Sequence, residues 1–131
     1  MYVAAGFKRL GLAVRYPGLE GHPQHKLMKA IMNKDFGFGG MVSLELGSSR
    51  TANEFMRMLQ MEGVGYVAVS LGYFKTLFSN SGKSTSSEVP EELQRKMGLS
   101  EGLVRFSIGL DNRIEESFDK MKVCLHKLHI I

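Results

Sequence analysis

The sequence predicts an α+β two-layer domain, a small and mainly antiparallel sheet with helices packed on one face. Short runs with period-two apolar alternation, clearest at residues 41–46 (MVSLEL) and 103–108 (LVRFSI), supply the strands. Between them, apolar residues recur at three- and four-residue spacing, as amphipathic helices require. The 131 residues, 44% hydrophobic and 23% charged, suffice for one ordinary core. No linker or internal repeat divides the chain, so residues 1–131 are read as one domain.

Each element has a local reason. Residues 12–16 (LAVRY) read as a strand stopped by the turn pair Pro17-Gly18. His22-Pro23 opens a helix whose apolar face is Leu27, Met28, Ile31 and Met32, and residues 37–40 (GFGG) break it. In the strand at 41–46, Val42, Leu44 and Leu46 share one face. Thr51-Ala52-Asn53-Glu54 has the form of a capping box, followed by the stripe Ala52, Phe55, Met56, Leu59. Residues 66–71 (YVAVSL) form a further strand, and residues 79–88 (SNSGKSTSSE) are too polar for a core and read as a surface or site-lining loop. A short helix over 90–97 ends at Gly98. The last helix carries Ile114, Phe118, Met121, Leu125 and Leu128 on one face, with Asn112 as its cap.

Composition excludes several classes of function. No apolar run approaches the roughly twenty residues of a membrane-spanning helix, and the opening residues lack the order of a signal peptide. A single cysteine, Cys124, rules out an internal disulfide and fits a reducing, cytoplasmic setting. Seventeen basic against thirteen acidic residues leave a net charge of +4. The densest basic stretch, Lys120, Lys122, His126, Lys127 and His129, belongs to a solvated helix face, so no nucleic-acid partner is expected.

Few residues point to chemistry. Ser81-Gly82-Lys83-Ser84-Thr85 imitates the end of a phosphate-binding loop, but Leu77 stands where its first glycine belongs. His22 with His25, and His126 with His129, stand three apart without the further ligands a zinc site needs, so no metal is expected. Cys124 lies beside an apolar stripe and reads as a buried thiol. Arg105 differs from these. It sits mid-strand on the face opposite Val104, Phe106 and Ile108, where its planar fork suits a carboxylate. A structural ion pair and a plain exposed position are the competing readings.

Several segments, taken in order, resemble one family. They are Val14-Arg15-Tyr16-Pro17-Gly18-Leu19-Glu20, His22-Pro23-Gln24-His25, Phe36-Gly37-Phe38-Gly39-Gly40-Met41-Val42-Ser43, Ala68-Val69-Ser70-Leu71-Gly72, and Gly102-Leu103-Val104-Arg105-Phe106-Ser107-Ile108-Gly109. Together they resemble the pyridoxal-phosphate-dependent Cys/Met metabolism enzymes, the family of cystathionine γ-synthase, cystathionine γ-lyase and methionine γ-lyase. The polar loop at 79–88 is most similar to that of plant methionine γ-lyase-like proteins. The likeness runs from Arg9 to the last helix and covers the smaller, C-terminal domain of a fold-type I enzyme of this class.

The resemblance implies a carbon–sulfur lyase or transsulfuration enzyme acting on sulfur amino acids. It implies that Arg105 binds the substrate α-carboxylate, that Ser70 helps hold it, and that Thr85 lines the site nearby. It also implies that the Schiff-base lysine, the acid on the pyridine nitrogen and the phosphate-binding groups come from an N-terminal domain not contained in these residues. No catalytic or cofactor-binding residue is therefore expected here. Ser117-Phe118-Asp119-Lys120 copies the spacing of the lysine motif but falls inside the last amphipathic helix. The chain alone is expected to be inactive; the alternative is a non-catalytic domain that binds or regulates full-length relatives. In two places the sequence departs from the family pattern. Asn80-Ser81-Gly82 replaces the His-Pro-Ala run before Thr85. Lys75 replaces an acidic residue, which disfavours a substrate with a second, distal ammonium.

Overall fold

The structure, a computed structural model, describes residues 1–81 and 88–131. Its strands are β1 (Ala13–Arg15), β2 (Met41–Glu45), β3 (Gly65–Val67), β4 (Thr76–Asn80) and β5 (Leu103–Ser107). They form one sheet in the order β1-β2-β5-β4-β3. Only β3 and β4 pair in parallel; the other three pairings are antiparallel. The mainly antiparallel sheet anticipated from the sequence is thus present.

Three helices cover one face of this sheet: α1 (Tyr2–Arg9), α3 (Ser49–Met61) and α5 (Ile114–Lys127). Between helices and sheet lies the core, with Phe7, Leu44, Phe55, Leu59, Phe78, Val104, Phe106, Met121 and Leu125 all fully buried. Phe106 sits at its centre, its ring 6.0 to 6.4 Å from those of Phe7, Phe55 and Phe78. Truncating such a ring to alanine costs about 3–5 kcal/mol. Cys124 is buried among these residues, and burial pushes its thiol pKa up, so it is an inert packing group.

The remaining helices, α2 (His25–Ile31) and α4 (Glu91–Lys96), stand apart from that layer. The expectation that His22-Pro23 opens α2 is off by one turn, since the helix begins at His25. Its apolar stripe is only partly covered: no residue of α2 is buried, Met28 and Met32 are half-buried, and Leu27 and Ile31 are 58% and 70% exposed.

Other differences have local causes. α1 goes unread in the sequence because Gly6 interrupts the Val3, Ala4, Phe7 stripe that buries it. α3 is capped by Ser48, whose hydroxyl accepts from the Thr51 amide at 3.1 Å, so the helix starts ahead of the Thr51–Glu54 box. The strand expected at 66–71 ends at Val67. β4 takes up the start of the stretch read as a loop, and Ser79 and Asn80 are buried within it. Asn112 does not cap α5. It adopts φ +58°, and Asp111 Oδ1 accepts from the Arg113 amide instead.

The two glycines flanking β5 fix how closely its neighbours approach. A Cβ on Gly102 would lie 2.6 Å from the Gly47 and Ser48 nitrogens, and one on Gly109 would lie 2.4 Å from the Phe74 carbonyl oxygen. Both obstacles are backbone and cannot swing aside. Gly109→Ala is therefore expected to destabilise the chain by about 1–3 kcal/mol, the range for an overpacked site. Gly21→Ala, which meets nothing within 4 Å, should stay within about 0.5 kcal/mol of the parent. Urea midpoints at constant m-value measure both, and an unchanged midpoint for Gly109→Ala would refute the packing argument.

Candidate functional site

The site grows out of β5. Alternation sends Val104 and Phe106 into the core, which leaves Arg105 on the face opposite α1, α3 and α5. Register places Arg105 between Ser43 on β2 and Ser79 on β4, and Arg15 on β1 lies opposite Ser43. A single row thus reads arginine, serine, arginine, serine across four strands. The outer arginine is exposed and lies against Gly98, where a Cβ would come 2.9 Å from its Nη1.

Arg105 is half-buried. Its Nη2 donates to the Val69 carbonyl at 3.0 Å and, more weakly, to the Ser70 carbonyl at 3.4 Å. Its Nε is buried with no hydrogen-bond partner. Among the described residues no carboxylate forms an ion pair with it. The nearest acid on the same face of β2, Glu45, is engaged elsewhere: it accepts from the Gly47 amide at 2.9 Å and from the Ser100 hydroxyl. Among the described residues Arg105 thus has no ion pair and is not fully exposed. There its partly desolvated guanidinium is held by neutral carbonyls and lacks a counter-charge.

Ser70 reaches this arginine through its backbone carbonyl, and its residue is exposed beside the guanidinium. Thr85, together with most of the Ser81–Thr85 imitation of a phosphate loop, lies outside the described residues. The segment after β3 adds an apolar rim. Val69, Leu71, Tyr73 and Phe74 are all exposed, and the Tyr73 ring lies 6.2 Å from that of Tyr66. Lys75 sets its ammonium 5.7 Å above the Tyr66 ring.

The histidine and glycine motifs turn out to be staples. Tyr16, 1% exposed, donates its hydroxyl to the Gly39 carbonyl at 2.8 Å. His25 bonds through Nδ1 to the Pro17 carbonyl at 2.8 Å and stacks on Phe38 with centroids 5.1 Å apart. These contacts tie residues 36–40, the lead-in to β2, to the turn after β1. Among the described residues no group of three or more His, Cys, Asp or Glu could hold a metal. A separate open cleft of about 510 Å³ beside α2 is lined by Lys8, Arg15 and His22 among others, away from Arg105. No helix among the described residues is long and apolar enough to cross a membrane.

With this geometry in hand, comparison with known proteins is direct. The family model for Cys/Met metabolism PLP-dependent enzymes matches residues 12–122. The chain belongs to this pyridoxal-phosphate-dependent family. It is 44% identical over 120 residues to a methionine gamma-lyase of Arabidopsis thaliana, an alignment covering 91% of this chain and 27% of that protein. The crystal structure of cystathionine gamma-lyase from yeast superposes with a TM-score of 0.85 at 25% identity, over 98% of this chain and 32% of the other. A Campylobacter jejuni structure described as an O-acetylhomoserine (thiol)-lyase carries N′-pyridoxyl-lysine-5′-monophosphate; it matches with a TM-score of 0.84 at 27% identity, over 95% of this chain and 29% of that one. The chain thus spans about a quarter to a third of the length of these relatives.

The described residues do not fit the covalent anchor of the cofactor. None of the described lysines is buried; Lys75, Lys120 and Lys122 are half-buried and the others exposed. Lys120, in the sequence that copies the lysine motif, pairs with Glu116 at 3.0 Å. A Schiff-base lysine needs a desolvated amine facing the cofactor, and these side chains face solvent, carboxylates or, for Lys75 and Lys122, an aromatic ring. What the site does offer is an anion-seeking guanidinium with an apolar rim.

Sequence reasoning singled out Arg105 but missed its strand neighbours. The sequence places Ser79 in a loop because residues 76–80 (TLFSN) show no apolar alternation. β4 is buried along its whole length, on both faces, which erases that signal.

Proposed function

We propose that this chain forms the substrate-carboxylate side of the active site of a carbon–sulfur lyase of the methionine γ-lyase type, acting on sulfur amino acids. The observation that carries the proposal is the uncompensated Arg105. A guanidinium without a counter-ion among the described residues, on the face opposite the helix layer and beside an apolar rim, suits an amino acid with an α-carboxylate and a thioether side chain. Ser70 joins Arg105 in holding that carboxylate, and Thr85 lines the site nearby. The contribution of these residues is orientation: a carboxylate fixed at Arg105 sets the direction of the Cα–H bond and of the side chain. The Lys75 ammonium near the rim favours methionine or homocysteine over cystathionine, whose distal ammonium it would repel. The cytoplasm, with its free thiols and amino-acid pools, is the compartment this reading calls for.

Because its described lysines do not fit the anchor, the chain by itself is inactive in this reading. The direct test is a chimera in which these residues replace the matching segment of the Arabidopsis relative. There, Arg105→Ala should lower kcat/KM for L-methionine roughly 10- to 150-fold, the equivalent of the 1.5–3 kcal/mol typical of a charged hydrogen bond. An unchanged efficiency would remove Arg105 from the site.

One observation favours a second reading, a domain that docks on full-length relatives: the unburied apolar stripe of α2. Sedimentation of the chain mixed with the Arabidopsis relative should then show a complex that Leu27→Glu with Ile31→Glu abolishes. Two independent boundaries would count against docking.

A further inference from the structure

The row of side chains around Arg105 contains a second unsatisfied group. Ser79 is 1% exposed, and its Oγ is buried with no hydrogen-bond partner, as is Arg105 Nε. The two residues are directly paired across β4 and β5. Opposed side chains in such a pair have Cβ atoms about 4.5–5.5 Å apart, so a hydroxyl on one reaches the inner nitrogen of an arginine on the other. The two orphans are chemically complementary. Nε–H can only donate, and a serine hydroxyl accepts as well as donates. A rotation of Ser79 between staggered wells is the change their joining calls for.

We infer that Ser79 is a positioning residue for Arg105: its hydroxyl accepts the Nε–H and fixes the guanidinium plane, so that a carboxylate is met end-on by the outer nitrogens. This rests on the carboxylate reading of Arg105 above. The geometry also selects the mode of binding. A side-on carboxylate needs Nε–H, and Nε is sealed inside the protein. Nη2, which shares that side edge with Nε–H, already meets the Val69 and Ser70 carbonyls. With Ser79 on Nε, the side edge is fully occupied and the outer end of the guanidinium is left for the ligand. Buried polar groups of this kind are satisfied as a rule, which is why two facing orphans carry information.

The test uses the ¹⁵N-labelled 131-residue chain and the Nε–Hε signal of Arg105, identified by its loss in Arg105→Lys. In the parent chain this proton should exchange slowly with water. Ser79→Ala should speed its exchange about tenfold, the effect of losing one hydrogen bond to a charged group. Ser79→Thr, which keeps the hydroxyl, should restore the slow rate. If alanine loosens β4, Ser79→Thr against Ser79→Val repeats the comparison with two side chains of one shape. L-methionine should shift the signal in the parent and in Ser79→Thr, and in Ser79→Ala only at several-fold higher concentration. Exchange and titration unchanged by Ser79→Ala overturn the inference while leaving Arg105 as the carboxylate site. A parent signal that L-methionine does not move overturns the carboxylate reading instead, and the exchange rates then still decide whether Ser79 holds Nε.

Discussion

The register of β5 is the constraint on which the rest of the structure depends. Its residues alternate between two environments: Val104 and Phe106 enter the aromatic core under α1, α3 and α5, and Arg105 faces the other way. A slip of one residue would bury the guanidinium among phenylalanines and expose Phe106, so core and site are specified by one register. Both neighbours enforce it, since β5 pairs with β2 on one side and β4 on the other. The glycines at its two ends enforce it again, because neither Gly102 nor Gly109 has room for a Cβ against the adjoining backbone.

Where strands and helices keep one buried face, the sequence is a faithful guide. β2, β5 and α5 are legible for that reason, and so is the placement of Arg105 off the core. Legibility fails where burial has two sides or none. β4 is buried along its whole length and shows no alternation, so its polar residues pass for a loop. α2 has a clean apolar stripe of which Leu27 and Ile31 stay exposed, so periodicity reports a helix without reporting its partner. The N-terminal start of α3 is misplaced by the Thr51–Glu54 box because Ser48 offers the better cap only once the chain enters from β2.

The motifs most recognisable in the sequence contain Arg105 and Ser70, but many of their other residues build scaffold. Tyr16, His25 and Phe38 belong to the segments that resemble the family, yet their side chains are spent on holding the turn after β1 to the lead-in of β2. Such contacts place β2, and β2 places Ser43 beside Arg105. Ser79 opens the polar stretch at 79–88, and only the pairing of β4 with β5 brings it to the arginine. Family membership is therefore legible in the scaffold, and the detail of the anion site is legible only in the sheet.

The central claim is that an amino acid's carboxylate completes the charge of Arg105. Comparing L-methionine with L-methioninol, which carries a hydroxymethyl group in place of the carboxylate, tests it most directly through the amide spectrum of the chain. The account predicts that L-methionine shifts the amides of residues 69–72 and of β5 and that L-methioninol leaves them in place. Equal shifts with both compounds, or shifts confined to other parts of the chain, would contradict it.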